Sequence, residues 1–150
     1  MPNLFDQTEV AKISQRIENL KPDTQRQWGK MEVAQMLAHI NASLETARGL
    51  NSIERAPLIG RLIGGLLKSG ALSEKPFGKN SPTVKSYMFN GPLHFETEKE
   101  KVMRSIKEFN EGGPSHCTSD PHPFFGKFTP EDWAVFQWKH IDHHLRQFGV

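Results

Sequence analysis

Residues 129 to 150, TPEDWAVFQWKHIDHHLRQFGV, decide the fold because this stretch predicts one long helix with both a packing face and a set of candidate ligands. Thr129 suits the N-cap, where its hydroxyl accepts a hydrogen bond from the backbone N–H of Asp132, and Pro130 suits the first helical position. Gly149 is a typical stop signal. At about 100° per residue, five apolar residues form one buried stripe: Ala134, Trp138, Ile141, Leu145 and Phe148.

Two histidines of this helix are candidate metal ligands. His140 and His144 are four residues apart, which places their Cβ atoms roughly 6 Å from each other on one flank of the stripe. Imidazole nitrogens so placed can bind one cation at about 2.0–2.1 Å. A chance pair on a helix surface is the alternative, so a third ligand elsewhere is needed to favour a metal site. Trp133 is expected to wall a pocket above the pair, and His143 to face solvent among Lys139, Asp142 and Arg146.

The composition is that of an ordinary soluble globular protein with one domain spanning residues 1–150. Hydrophobic residues make up 36% and charged residues 24%, and the formal net charge of +2 comes from basic residues spread along the chain, which disfavours a nucleic-acid partner. The single cysteine, Cys117, excludes an intrachain disulfide and, with no secretory leader, favours a cytoplasmic location. The longest apolar stretch, Pro57 to Leu67, is too short to span a bilayer, so no membrane partner is expected.

The remainder of the chain predicts four further helices and no strands, which indicates an all-α fold. Asp6 is the candidate N-cap of the first helix, and the pattern Thr97-x-x-Glu100 is a capping box that opens the fourth. The predicted bounds are 6–19, 28–48, 55–68 and 97–111.

The second predicted helix contains a third histidine beside a buried stripe. His39 lies about 100° from Ile40, on the flank of a stripe that is spaced like that of the last helix. A lone helical histidine is more often a packing residue than a ligand, but three histidines beside the stripes of two long helices favour a shared site. Candidate hydrogen-bond partners for the rings are Gln35, Ser43 and Glu32, and the alternative is a buried carboxylate or carbonyl from another helix.

Two loops carry weaker signals. Residues 69–93 form a long connection whose lysines, Lys75, Lys79 and Lys85, either meet an anionic substrate or are simply solvated. Residues 114–122 contain histidine, cysteine and aspartate, but their spacing fits no zinc-binding pattern, so we expect an ordered loop bordering the site and not a ligand.

Three sequence blocks resemble the DinB/YfiT-like superfamily of metal-dependent proteins, and one branch of it in particular that has no assigned reaction. They are MLAHI at 36–40, HPFFGKFTPEDW at 122–133 and KHIDHHLRQFG at 139–149. The resemblance covers nearly the whole chain. It implies an antiparallel four-helix bundle with one long crossover and a short extra helix, and a divalent cation held by His39, His140 and His144.

The same resemblance suggests a class of chemistry. Similar proteins include transferases that use a low-molecular-weight thiol such as bacillithiol, mycothiol or glutathione, and thiol-dependent isomerases. Three neutral imidazoles would leave a bound cation with an open position, as in catalytic sites. Zinc or nickel is favoured, and iron or manganese also fits. The resulting hypothesis is a metal-dependent enzyme that activates a water or a thiol for transfer or hydrolysis on a small molecule.

Two competing hypotheses remain open at this point. The first is a metal-binding bundle without turnover, of stress-response type. The second is a helical interaction protein that dimerises through its first helices or its exposed aromatic residues and whose histidines have no metal role. A homodimer is also common among proteins of similar architecture and would bury exposed parts of the first two helices.

Overall fold

Five α-helices make up the computed structural model, which describes residues 1–81 and 83–150. No β-strand is present in these residues. The helices are α1 (Gln7–Glu18), α2 (Val33–Ala47), α3 (Leu58–Ala71), α4 (Phe95–Gly112) and α5 (Pro130–Gln147), with short 3-10 helices at Lys85–Tyr87 and Pro114–His116. The all-helical prediction is therefore confirmed.

The ends of two helices follow the predicted capping chemistry. The Asp6 carboxylate accepts hydrogen bonds from the backbone N–H groups of Thr8 and Glu9 at the start of α1. At the start of α5, the Thr129 hydroxyl accepts from the Asp132 N–H, and the Asp132 carboxylate accepts from the Thr129 N–H, each at 3.1 Å. These bonds satisfy backbone donors that have no partner within the helix.

Three predicted starts were wrong. Helix α3 begins at Leu58 and not at residue 55, because Pro57 precedes its first turn and the residue before a proline disfavours a helix. Helix α2 begins at Val33 and not near Trp28, because Gly29 has a φ of 82° and interrupts the helical backbone. Helix α4 begins at Phe95, where the imidazole of His94 caps the N–H of Thr97, so Thr97 lies in the first turn and is not the N-cap.

Helix α2 lies at the centre of the fold and packs against both α4 and α5, which also contact α1. Side-chain bonds give the directions. Asn41 bonds Ser105 and Arg48 bonds Glu108, so α2 and α4 run the same way. The apolar stripe of α2 beside His39 consists of Val33, Leu37, Ile40, Leu44 and Ala47, and all five residues are buried.

Helix α5 runs opposite to α2 and carries the other predicted stripe. The bonds of His39 with His140 and of Ser43 with Gln137 pair ascending residues of α2 with descending residues of α5. Four residues of the stripe are buried, and Trp138 is half-buried. None of the helices in the described ranges combines the length and the hydropathy that a bilayer span requires.

Helix α3 lies in the connection from α2 to α4 and rests on the turn of residues 122–126 through small residues. A Cβ atom on Gly64 would overlap the carbonyl oxygen of Phe124, and Gly60 lies beside the Phe124 ring. The Nζ of Lys139 donates to the carbonyls that end the helix, at Gly70, Ala71 and Ser73, with distances of 2.7–3.1 Å. Helix α3 is therefore held in a fixed orientation.

This contact predicts different effects for two neighbouring glycines. Alanine favours a helix interior by about 1 kcal/mol over glycine, and a Cβ on Gly65 meets nothing within 4 Å among the described residues. Gly65→Ala should therefore keep or raise the free energy of unfolding. Gly64→Ala should lower it by about 1–3 kcal/mol, because the new methyl group forces α3 away from Phe124. Urea denaturation of both variants measures the difference, and equal values would contradict the packing of α3 on Phe124.

Candidate metal centre

Three buried imidazoles meet where α2 packs on α5. The Nε2 atom of His140 lies 2.8 Å from that of His39 and 3.1 Å from that of His144. One ring nitrogen from each residue lies within 4.8 Å of the other two. The three side chains are 3%, 9% and 7% exposed for His39, His140 and His144 respectively. The structure thus brings together all three histidines that the sequence singled out.

Hydrogen bonds on the far side of two rings define which nitrogen carries the proton. The Nδ1 atom of His39 lies 3.0 Å from the backbone carbonyl oxygen of Tyr87, which can only accept. The Nδ1 atom of His144 lies 2.8 Å from Oε1 of Gln147, whose amide orientation is set because its Nε2 donates to the Trp28 carbonyl. Both rings therefore carry hydrogen on Nδ1 and present an unprotonated Nε2 to the centre of the cluster.

His140 lies between these two lone pairs. A neutral imidazole has one N–H group, so His140 cannot donate fully to both neighbours. Its Nδ1 is buried, and no hydrogen-bond partner for it occurs in the described part of the chain. The ring instead stacks on Phe136, with centroids 5.8 Å apart and an interplanar angle of 20°.

The two short nitrogen separations, both made by His140, fit a common cation, whereas the ring nitrogens of His39 and His144 lie within 4.8 Å of each other. Two nitrogens bound to one ion at about 2.0–2.1 Å are roughly 2.9–3.4 Å apart for bond angles between octahedral and tetrahedral values. The separations of 2.8 and 3.1 Å are close to the short end of this range. A divalent cation would also relieve the repulsion between the converging lone pairs, so the residues fit a metal ion.

Burial keeps the three rings neutral. Desolvation lowers the pKa of His39, although the bond to the Tyr87 carbonyl raises it in part. Desolvation lowers the pKa of His144 to about 3, with a smaller effect of nearby His39. Burial lowers the pKa of His140 well below its ordinary value, and repulsion from the neighbouring histidines lowers it further. Neutral imidazole is the form that binds metal.

The ring partners differ from those that the sequence suggested. The Gln35 amide accepts from the Glu32 N–H and donates to the Gly91 carbonyl, so both residues cap α2. Ser43 bonds Gln137. The partners found are Gln147 and the Tyr87 carbonyl. Gln147 could have been recognised from the sequence, because it lies three residues after His144 on the same face of the helix. Tyr87 lies in the long loop, where no helical spacing relates it to His39.

His143 is half-buried, so the prediction that it faces solvent was wrong. Its ring packs edge-on against Trp28 and Phe77, with centroids 5.9 Å away in both cases, and lies 5.1 Å from the ring of His144. Desolvation lowers its pKa, and the charge of Asp142 opposes this shift.

The predicted neighbours of His143 do lie around it, since Lys139, Asp142 and Arg146 line the same cavity as its ring. Lys139 and Asp142 are both buried. Lys139 donates to the carbonyls at the end of α3, and Asp142 forms ion pairs with Arg16 and Arg146. Trp133 is buried against His122 and Phe128, and the ring that packs on His140 is that of Phe136.

The long loop covers one side of the cluster. Besides its carbonyl bond to His39, Tyr87 packs its ring on the His39 ring and donates its hydroxyl to Thr46. Phe77 contacts both His143 and Phe136. Of the loop lysines, Lys79 lies over the Trp28 ring at 4.6 Å, beside a cavity of about 150 Å³ that Phe77 and His143 also line.

The loop at 114–122 borders the aromatic neighbours of the cluster. The Nδ1 atom of His122 accepts hydrogen bonds from the backbone N–H groups of Phe124 and Phe125, and its ring packs on Phe136. Desolvation lowers the pKa of His122 to about 3. Its role in the described structure is to order the turn that precedes α5.

Comparison with protein families identifies the family. A family model described as a protein of unknown function, DUF1569, matches residues 3–149. The chain belongs to the DUF1569 family. The matched range contains His39, His140 and His144. Searches of curated proteins and of solved structures gave no match.

The acceptor for His144 yields a prediction about metal affinity. Gln147→Met removes the oxygen that bonds Nδ1 of His144 and should weaken metal binding about 10- to 100-fold. Gln137→Met is the matched control, because Gln137 is equally buried in α5 but bonds Ser43. It should lower stability and leave metal affinity unchanged. Competition with a chromogenic chelator measures the metal affinity of both variants. An equal loss of affinity in Gln147→Met and Gln137→Met would contradict the role of Gln147.

His122 predicts an acid sensitivity that does not depend on the metal ligands. Its pKa is about 3 in the fold and near 6.5 in an unfolded chain, so the unfolded state binds one more proton between these values. The free energy of unfolding should therefore fall as the pH is lowered below about 6.5, by up to roughly 1.4 kcal/mol per pH unit from this group. His122→Asn keeps an acceptor for the two N–H groups and should show a shallower slope in urea titrations from pH 7 to 4. An unchanged slope would contradict the assignment.

Proposed function

We propose that this protein is a divalent-metal-dependent enzyme whose metal is held by His39, His140 and His144 and whose substrate is a small molecule. The observation that carries the proposal is the convergence of unprotonated Nε2 atoms, fixed in that tautomer by the Tyr87 carbonyl and Gln147. Without a cation, two buried lone pairs face a third nitrogen that can donate to only one of them.

We further propose that α1, α2, α4 and α5 form a four-helix bundle of the DinB/YfiT-like kind. In this assignment the connection from α2 to α4 is the long crossover, and α3 is the extra helix. Helices α2 and α4 run in the same direction, which supports this assignment. After α2 the chain must travel back along the full length of that helix before α4 can begin, and this requires a long connection.

The ligand set indicates which metals are suitable. Three neutral imidazoles favour zinc or nickel, and iron or manganese also fits. A cation so bound keeps its full double charge, supplies Lewis acidity at any further coordination position, and lowers the pKa of a water or a low-molecular-weight thiol there. We propose group transfer to or from such a thiol, or hydrolysis, as the reaction class.

The protein residues supply orientation and exclusion of water. The Tyr87 carbonyl and Gln147 fix two of the imidazoles, and Phe136 fixes the plane of the third. Tyr87 and Phe77 lie between the cluster and solvent, and both belong to the connection between α3 and α4. Displacement of this segment is the route that we propose for substrate entry.

A non-catalytic metal site is the second candidate. The observation that favours it is the low exposure of the three ligands, 3–9%, which is typical of a closed structural site. A structural metal would contribute directly to folding. An open catalytic position and a closed site differ in whether a small molecule can reach the ion.

The first experiment is metal content, measured by mass spectrometry on protein purified without an affinity tag. We expect about one transition-metal ion per chain in the wild type. His39→Ala, His140→Ala and His144→Ala should each lose it, because each removes one of only three ligands. His143→Ala is the matched control in α5 and should retain the metal. Absence of metal from the wild type, even after reconstitution with zinc, nickel, iron or manganese, would refute both candidates.

The second experiment separates them. The metal-loaded wild type is assayed with glutathione and a chlorinated aromatic electrophile, in which the thiol sulfur displaces chloride and a proton is released, and with 4-nitrophenyl esters for hydrolysis. Turnover that is lost in His140→Ala would support the enzyme. A cobalt-substituted protein whose visible spectrum does not change with added thiol or azide would instead support the closed structural site.

A further inference from the structure

Helix α3 is built in the opposite way to an ordinary amphipathic helix. Its small residues Gly60, Gly64 and Ala71 lie toward the turn at Phe124 and the interior. Its large apolar residues point outward and are 47–82% exposed: Leu58, Ile59, Leu62, Ile63, Leu66 and Leu67. We call these six side chains the outer face of α3. At about 100° per residue they span a continuous arc of roughly 180°.

The outward orientation is not the result of a loosely attached helix. The Ala56 N–H donates to the Pro123 carbonyl just before α3 begins. Lys68 bonds the Lys127 carbonyl and pairs with the Asp132 carboxylate at 2.9 Å. Lys139 holds the end of the helix. Turning the leucines inward would break these contacts and bring their side chains against the Phe124 backbone.

The size of the outer face fits a protein interface. Six large apolar side chains, each 47–82% exposed, lie side by side on it, whereas the largest apolar patch on a typical monomer covers only about 300–600 Å² and is often functional. A standard interface buries about 800 Å² on each partner. At about 25 cal/mol per Å² of apolar area, leaving such a surface in water is costly.

The charge pattern favours a second copy of the chain over a lipid surface. A helix that lies on a membrane has a strongly charged face opposite its apolar face. Helix α3 carries only two charged residues, Arg61 and Lys68, and Lys68 is already paired with Asp132. The side opposite the outer face carries these two basic residues beside Gly64, so its only charge without that pairing is Arg61, which is not a strongly charged face. A two-fold contact between two α3 helices covers both outer faces at once, because the same patch is used by each subunit.

We propose that the outer face of α3 is the interface of a homodimer. This inference does not depend on a metal at the histidine cluster. It assigns the dimer contact to α3 and not to the first two helices, because the exposed large apolar residues of the described chain concentrate on α3, whereas nearly all of α2 is buried.

The test is sedimentation equilibrium on the full-length chain. We expect the wild type at about twice the 17.0 kDa chain mass. Leu66→Glu should shift it to the monomer, since two charges would be buried in each dimer. Leu50→Glu is the matched control, because Leu50 is 61% exposed but lies outside α3, and it should remain dimeric. The milder Leu66→Ser should weaken association at least tenfold, because it removes two buried leucine contacts per dimer.

Three results would overturn the proposal. They are a monomeric wild type, a dimer that survives both changes at Leu66, and a dimer that Leu50→Glu dissociates as readily as Leu66→Glu. Co-sedimentation of a monomeric wild type with vesicles of phosphatidylcholine and phosphatidylglycerol would assign the outer face to a lipid surface instead. Circular dichroism of each variant verifies that the helices are retained.

Discussion

The convergence of three neutral imidazoles, whose ring nitrogens lie within 4.8 Å of one another, is the constraint on which the rest of this structure depends. Such a cluster is stable only where neighbouring elements hold each ring, since buried polar atoms that lack partners are costly. The antiparallel contact of α2 and α5 provides that support. Ser43 and Gln137 bond one turn from His39 and His140, within the same contact of α2 and α5.

The outer contacts of the cluster reach other parts of the chain. Gln147 connects His144 to the segment before α2 through the Trp28 carbonyl. Tyr87 connects His39 to the segment between α3 and α4, and its hydroxyl donates to Thr46 on α2. The segments that surround the cluster are thus ordered by the same bonds that define its tautomers.

The helical wheel was sufficient to predict much of the site, because His140, His144 and the stripe of α5 depend only on spacing within one helix. His39 was also found, since its flank position repeats that of the other two. The wheel failed for His143, which it placed in solvent, because Trp28 and Phe77 reach it from loops. It also failed for Lys139, whose partners are main-chain carbonyls at the end of α3 that no side-chain pattern records.

Helix starts show the same limit. Asp6 and Thr129 are residues with short side-chain acceptors that match the usual caps, and both were identified. The start of α4 was missed, because His94 caps it through a ring nitrogen, an uncommon choice that cannot be distinguished from any other loop histidine. The apolar residues of α3 indicate a helix correctly. The inner side of that helix is formed by Gly60 and Gly64, and its large apolar side chains lie outside.

The two acceptors behind His39 and His144 differ in how they respond to mutation. The acceptor for His144 is a side chain, so a single codon change at Gln147 removes it. The acceptor for His39 is a main-chain carbonyl, which every amino acid at position 87 supplies as long as the backbone stays in place. A substitution at Gln147 therefore removes the contact to His144 directly. The contact to His39 is lost only when the backbone of the loop moves. Position 87 has more freedom to vary than position 147 without changing the protonation pattern of the cluster.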